Sequence, residues 1–151
     1  MIRRALTKAL ETVVVPKLIK EHEKIVSNWN HKPRFEGKAR LGIGVAYVKI
    51  VATGPNAKYW VWVNEGTRPH TIAPKAGPVL RFKTGSTPKT TAGKPSSFGG
   101  PGGAKGGFVS AKSVDHPGTK AREFTAQIAE ENKRWFANTM RNEWKRIIRS
   151  L

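Results

Sequence analysis

Cysteine is missing from this 151-residue chain, which rules out disulfide scaffolds, thiolate metal centres and cysteine nucleophiles. Long apolar runs are missing as well: no window approaches the roughly eighteen apolar residues of a membrane span. The opening stretch, MIRRALTKALETVVV, holds two arginines and an apolar run, but Thr7, Lys8 and Glu11 interrupt it and no small-residue cleavage site follows. The expectation is no signal peptide, no membrane partner and a soluble protein made in the cytoplasm. Acidic residues are scarce, with 10 Asp and Glu against 28 Lys and Arg and a formal net charge of +18. Four histidines and those ten carboxylates exist for acid–base or metal chemistry, yet no HExxH spacing, no GxGxxG after a strand and no nucleophile elbow occurs. The stretch GGPGGAKGG at 99–107 lacks a GK[ST] ending and leads into strand-like residues, which argues against a nucleotide there. The expectation is a chain with no cofactor, no metal and no small-molecule substrate.

What is abundant is positive charge, and its distribution is uneven. Residues 32–119 carry fourteen basic and three acidic side chains and supply +11 of the +18. A surface of that sign attracts nucleic acid without reading its sequence, and affinity falls steeply as salt rises. The same excess also suits solubility or an acidic protein neighbour.

The length fits one domain, 1–151, with one appendage. Ile2, Leu6, Leu10, Val13, Val14, Leu18, Ile25, Val26 and Trp29 recur mostly at spacings of three or four, predicting an amphipathic helix over 2–30. Pro16 predicts a kink or break near Val15, or the first turn of a second helix, and Pro33 closes the segment. Residues 39–53 alternate as one strand, or as two strands bent at Gly42 and Gly44. Residues 59–64 suit a strand or a short helix, ended by Gly66 either way. Residues 78–83 alternate as a half-buried strand, with 107–113 as its antiparallel partner and Phe108 or Val109 facing in. Their connection, 84–106, has seven glycines, three prolines, Lys89, Lys94 and Lys105, with Lys83 at its root. It holds too little apolar surface to offset its ordering entropy, and reads as a flexible basic arm or a bland solvated insertion. A last helix runs from 119 or 121 to 151, with an apolar stripe of Phe124, Ile128, Trp135, Phe136, Met140, Trp144, Ile147, Ile148 and Leu151. At about 46 Å it outreaches so small a domain, so its end protrudes or meets another subunit. The predicted fold class is α+β: a small antiparallel sheet with a long N-terminal and a long C-terminal helix packed on it.

Two stretches organise the centre: YWVWVNEGTRPH at 59–70 and VDHPGTKAREF at 114–124. His70 follows Pro69 and His116 precedes Pro117, so both sit in turns, while His22 and His31 read as lying on or just beyond a polar helical face. If the stretches meet in space, His70 and His116 make a pair for metal or acid–base work, with Glu65 and Asp115 nearby in sequence. The simpler reading is that Gly66 and Gly118 supply positive φ and the histidines hydrogen-bond locally. The five tryptophans suit single-strand stacking, but all fall on apolar faces or runs, which favours core or interface burial.

The order Tyr59, Val63-Asn64-Glu65-Gly66-Thr67-Arg68-Pro69-His70, Ile72, Pro74, Leu80, Phe82, then His116-Pro117-Gly118 and Phe124, behind an N-terminal helix, resembles the neck or tail-completion proteins of long-tailed, lambda-type siphovirus bacteriophages. The likeness covers most of the chain except the arm, which is longer and richer in glycine than that family leads one to expect. The resemblance implies a tail-terminator-like fold with no enzymatic activity. It implies a six-fold homo-oligomeric ring at the head–tail junction of a virion assembled in the bacterial cytoplasm. The implied partners are neighbouring neck, tail-terminator and tail-tube proteins, with packaged double-stranded DNA in the lumen. Glu65, Gly66, Thr67, Arg68, Pro69, His70, His116, Pro117 and Gly118 would then be fold-defining turns near subunit contacts. The C-terminal stripe would serve packing and neighbours, and Lys83, Lys89, Lys94 and Lys105 would face DNA or an acidic protein. The alternatives are a tail terminator or minor tail protein of the same fold, a free non-specific nucleic-acid-binding protein, and a small hydrolase or nuclease using His70, His116 and Asp115.

Overall fold

The structure, a computed structural model, describes residues 2–87 and 103–150. They fall into two compact units, one formed by the chain up to Ala57 and from Phe124 onward, the other by Lys58–Glu123.

In the first unit α1 (Ile2–Ala9) runs into a π-helical turn (Leu10–Val14) and then α2 (Val15–Ile25). Proline lacks an N–H and its ring crowds the carbonyl four residues back. The chain meets this demand at Pro16 with one wide turn just ahead of it rather than a break. Two residues of the wide turn, Leu10 and Val14, have no accessible surface, while Glu11, Thr12 and Val13 between them are exposed. α2 stops short of the predicted residue 30. Ser27 N–H bonds to the Lys24 carbonyl and Trp29 N–H to that of Val26, turning the chain out of the helix.

β1 (Arg34–Leu41) and β2 (Ala46–Thr53) form an antiparallel hairpin with Arg34 opposite Thr53 and Leu41 opposite Ala46. The two-strand reading with a bend at the glycines is the right one: Gly42 N–H bonds to the Val45 carbonyl at 2.8 Å and Gly44 takes φ +69°. The first strand begins at Arg34, five residues ahead of the predicted start. Gly37 lies within it because the Val15 and Ile50 side chains occupy the space a Cβ would need.

α4 (Phe124–Arg149) packs beside α1 and α2, and α2 lies on β1. Its stripe is unevenly covered. Phe124, Ile128 and Ile147 are buried, Trp135, Phe136 and Met140 are half-buried, and Trp144 and Ile148 are exposed. Lys17 places its ammonium 5.1 Å from the Trp135 ring centre. On the outer faces Lys17 and Lys24 both pair with Glu21, Lys133 pairs with Glu130 and Arg146 with Glu143. The hydrogen bond from Lys24, helped by Lys17, holds the Glu21 carboxyl below its usual range although partial burial opposes the shift.

His22 corrects the polar-face expectation, being only 3% exposed. It stands four residues after Leu18 and three before Ile25, so helical spacing places it on the apolar stripe. Its ring centre lies 5.2 Å from that of Phe35, and its Nδ1–H donates to the Leu18 carbonyl at 2.7 Å. Burial pushes its pKa below the ordinary value. His31 is exposed beyond the end of α2.

The second unit holds α3 (Ala57–Glu65) and six short strands: β3 (His70–Ile72), β4 (Leu80–Lys83), β5 (Ser86–Thr87), β6 (Gly103–Ala104), β7 (Phe108–Ala111) and β8 (Val114–His116). They pair as three two-stranded antiparallel ladders, β3 with β8, β4 with β7 and β5 with β6. The helical option for 59–64 is realised, and Gly66 ends it at φ +79°. The predicted hairpin exists, with Leu80 opposite Ala111 and Lys83 opposite Phe108. It is not half-buried as expected, because Phe82, Phe108 and Val109 are all exposed. Pairing resumes beyond Lys83, with Ser86 opposite Ala104 and Thr87 opposite Gly103, so both ends of the predicted 84–106 arm are in a ladder. Lys89 and Lys94 lie outside the described residues. In place of one small sheet, the described residues form four two-stranded ones. Among them no helix is long and apolar enough to cross a membrane.

Candidate functional site

The two organising stretches close on each other inside the second unit. A helix end leaves its last carbonyls without intrahelical donors. At the end of α3 they find donors far along the chain, with Arg122 N–H bonding to the Val63 carbonyl at 3.0 Å and Glu123 N–H to that of Asn64 at 3.0 Å. Between them Thr67 and Thr119 exchange both backbone hydrogen bonds, at 3.0 and 3.1 Å. Gly66 and Gly118, each at positive φ, make this approach possible. A Cβ on Gly66 would run into the Thr119 carbonyl, and one on Gly118 into that of Thr67. The result is a reciprocal clasp built from two Gly-Thr pairs.

Beyond the clasp, β3 and β8 place His70 opposite His116, Thr71 opposite Asp115 and Ile72 opposite Val114. The two imidazole centres are 5.1 Å apart and tilted by 31°. His70 Nδ1–H donates to the Arg68 carbonyl at 2.8 Å, whereas Gly118 N–H donates to His116 Nδ1 at 3.1 Å. The neutral rings therefore carry opposite tautomers, His70 protonated on Nδ1 and His116 on Nε2. Strand alternation sends Asp115 to the other face, where it accepts the Thr71 hydroxyl at 2.7 Å. It does not orient His116. Glu65, Arg68, Pro69 and Pro117 are exposed, and no group of three or more metal-ligating side chains lies together among the described residues. The structure thus brings the motif residues together, and each histidine is tied to the turn beside it.

The predicted cationic and apolar residues are placed differently. Lys83 and Lys105 are exposed, and the Lys83 ammonium lies 5.3 Å from the Phe108 ring centre. On α3, Trp60 is buried but Trp62 is exposed. Trp62 meets Tyr59 edge-on at 5.6 Å, and the Lys58 ammonium stands 5.3 Å and 6.0 Å from the Tyr59 and Trp62 ring centres. In the first unit Leu6, Leu41, Val45, Ala46, Met140 and Trp144 line a groove of about 340 Å³. Ile43, at the tip of the β1–β2 hairpin, is fully exposed. Sequence reasoning missed the Thr67–Thr119 exchange and the capping by Arg122 and Glu123. The signal present was the repeated Gly-Thr dipeptide, once in each stretch.

No protein family, no characterised protein and no solved structure matches this chain. The class its own geometry defines is a mixed helix-and-strand protein of small antiparallel sheets with one long C-terminal helix.

Proposed function

We propose that this protein is a structural component of a long-tailed bacteriophage virion, a neck or tail-completion subunit. It forms a six-fold homo-oligomeric ring at the head–tail junction around the packaged double-stranded DNA and catalyses no reaction. The observation that carries the reading is the apolar surface left uncovered on a single chain: Ile43, Trp62, Phe82, Phe108, Trp144 and Ile148 are all exposed. Apolar side chains mark contact with other protein surfaces where they lie together, as Leu6, Leu41, Val45, Met140 and Trp144 do around the groove of the first unit. The ordered motif resemblance says which assembly, and three of its turn residues, Gly66, Thr67 and Gly118, belong to the clasp. A ring closes through heterologous contacts between different patches of one subunit, and this chain offers uncovered apolar residues in both units. A tail terminator or minor tail protein of the same fold is the neighbouring reading.

The test is electron microscopy of a lysate from a phage whose copy of this gene carries an early stop codon. Full heads accumulating beside separate, finished tails are the expected result. Normally joined virions would overturn the reading and move a free nucleic-acid-binding protein to first place, a role favoured by the cations of the second unit. The hydrolase reading draws no support from Asp115, which faces away from His116.

A further inference from the structure

The β4–β7 hairpin is a ribbon with two unlike faces. Side chains alternate along each strand, so the register sets Leu80, Ala111, Phe82 and Val109 on one face and Arg81, Ser110, Lys83 and Phe108 on the other. The first face is apolar. The second carries two cations, a hydroxyl and an aromatic ring, all exposed. The contact between Lys83 and the Phe108 ring holds a flexible side chain in place, which lowers the ordering cost of meeting an anion.

Past Lys83 the ribbon continues without bulk. Thr84 N–H bonds to the Gly107 carbonyl at 3.2 Å and Gly106 N–H to that of Thr84 at 2.9 Å. A Cβ on Gly106 would collide with Thr84. Ser86 and Thr87 then pair with Ala104 and Gly103, and Lys105 stands exposed beside them. Among the described residues Arg81, Lys83 and Lys105 take part in none of the ion pairs with carboxylates. Residues 58–123 carry eleven basic and three acidic side chains.

The geometry points to this ribbon as a binding site for duplex nucleic acid, with Arg81, Lys83 and Lys105 on phosphates and Ser86, Thr87 and Ser110 adding hydroxyl donors. Arginine, lysine and hydroxyl side chains are the usual partners of phosphate oxygens, and they fix position without reading bases. A two-stranded ribbon fits the duplex major groove, about 12 Å wide. Single strands need successive aromatic platforms, and this face offers one ring, already engaged by Lys83. The inference rests on the DNA contact in the reading above, not on the ring or its place in a particle.

The test is fluorescence anisotropy of the full chain with a labelled duplex of about thirty base pairs over a salt series. The parent chain binds, and the Arg81→Gln, Lys83→Gln, Lys105→Gln triple variant flattens the log–log salt slope by about 2.7, roughly 0.9 per lost phosphate contact. A control triple with the same charge change on exposed lysines of the first unit, Lys20→Gln, Lys38→Gln, Lys145→Gln, leaves the slope close to that of the parent. Circular dichroism shows both triples folded. The proposal is overturned by an equal effect of the control, by no salt-dependent binding of the parent, or by tighter binding of a single strand of the same length. Competition by polyglutamate as strong as by duplex at equal charge would overturn it too, in favour of an acidic protein partner. None of these outcomes touches the microscopy of the stop-codon phage, so the two readings fail separately.

Discussion

The two units are stabilised by different means. The first buries Leu6, Leu10, Val14, Val15, Ile25, Val26, Phe35, Phe124, Ile128 and Ile147, and pairs several of its surface cations with carboxylates on the same helices. The second, among its described residues, buries a single large apolar side chain, Trp60. Its order rests on backbone hydrogen bonds: three short ladders and the clasp that joins the end of α3 to residues 119–123. Apolar burial is non-directional and tolerates substitution of similar volume. A backbone clasp threaded past two glycines tolerates almost none. The first unit should therefore yield gradually to mutation, and the second abruptly at a few positions.

The sharpest way to break this comparison is Gly118→Val, which adds a β-branched side chain at positive φ and against the Thr67 carbonyl. The expected loss is about 4 kcal/mol or more. In hydrogen exchange, the Thr67, Thr119, Arg122 and Glu123 amides should lose protection while those around Leu10 and Val14 keep theirs. Equal loss in both places would mean the units unfold as one. Leu10→Ala probes the other side: removing a fully buried leucine from the π-helical turn should cost about 3 kcal/mol, read as a lower urea midpoint, with the clasp amides still protected.

The smallest expected effect is a pH dependence confined to the first unit. Burial holds the His22 pKa below the usual value near 6.5, so in the window between the two values the unfolded chain binds more protons than the folded one. Stability should therefore decline as pH falls from the unfolded value to the folded one, then level off. His22→Gln should remove that component of the slope in urea titrations from about pH 8 to 5. A slope unchanged by the substitution would show that other groups carry it.

Much of this was legible in the chain, and the misses share a cause. Alternation in 78–83, with 107–113 read as its partner, identified the β4–β7 pair, and the apolar spacing with Pro16 located both the N-terminal helix and its irregularity. Periodicity is a local property, and these elements depend on local pattern. The start of α4 was not legible, because Arg122 and Glu123 are withheld from the helix to cap α3, a requirement set by residues nearly sixty positions away. The first half of β1 was hidden by Arg34, Glu36 and Lys38 on its outer face and by Gly37, whose Cβ space Val15 and Ile50 fill. Meeting of the two motif stretches was anticipated as a possibility from His70 and His116. The agent that joins them, Thr67 with Thr119, makes its contact through backbone atoms that side-chain chemistry does not advertise.

The clasp also bears on how the chain comes to fold. The first unit is discontinuous, interrupted by the second from residue 58 to 123, so the helix from Phe124 leaves the ribosome only after the whole second unit has. Bringing distant segments together across an open loop of that length costs about 4 kcal/mol in chain entropy. Once Thr67 and Thr119 have met, the ends of the insert are already tied, and the late helix starts from a short tether rather than a long slack one. In a chain without cysteine, a pair of Gly-Thr turns serves as the crosslink.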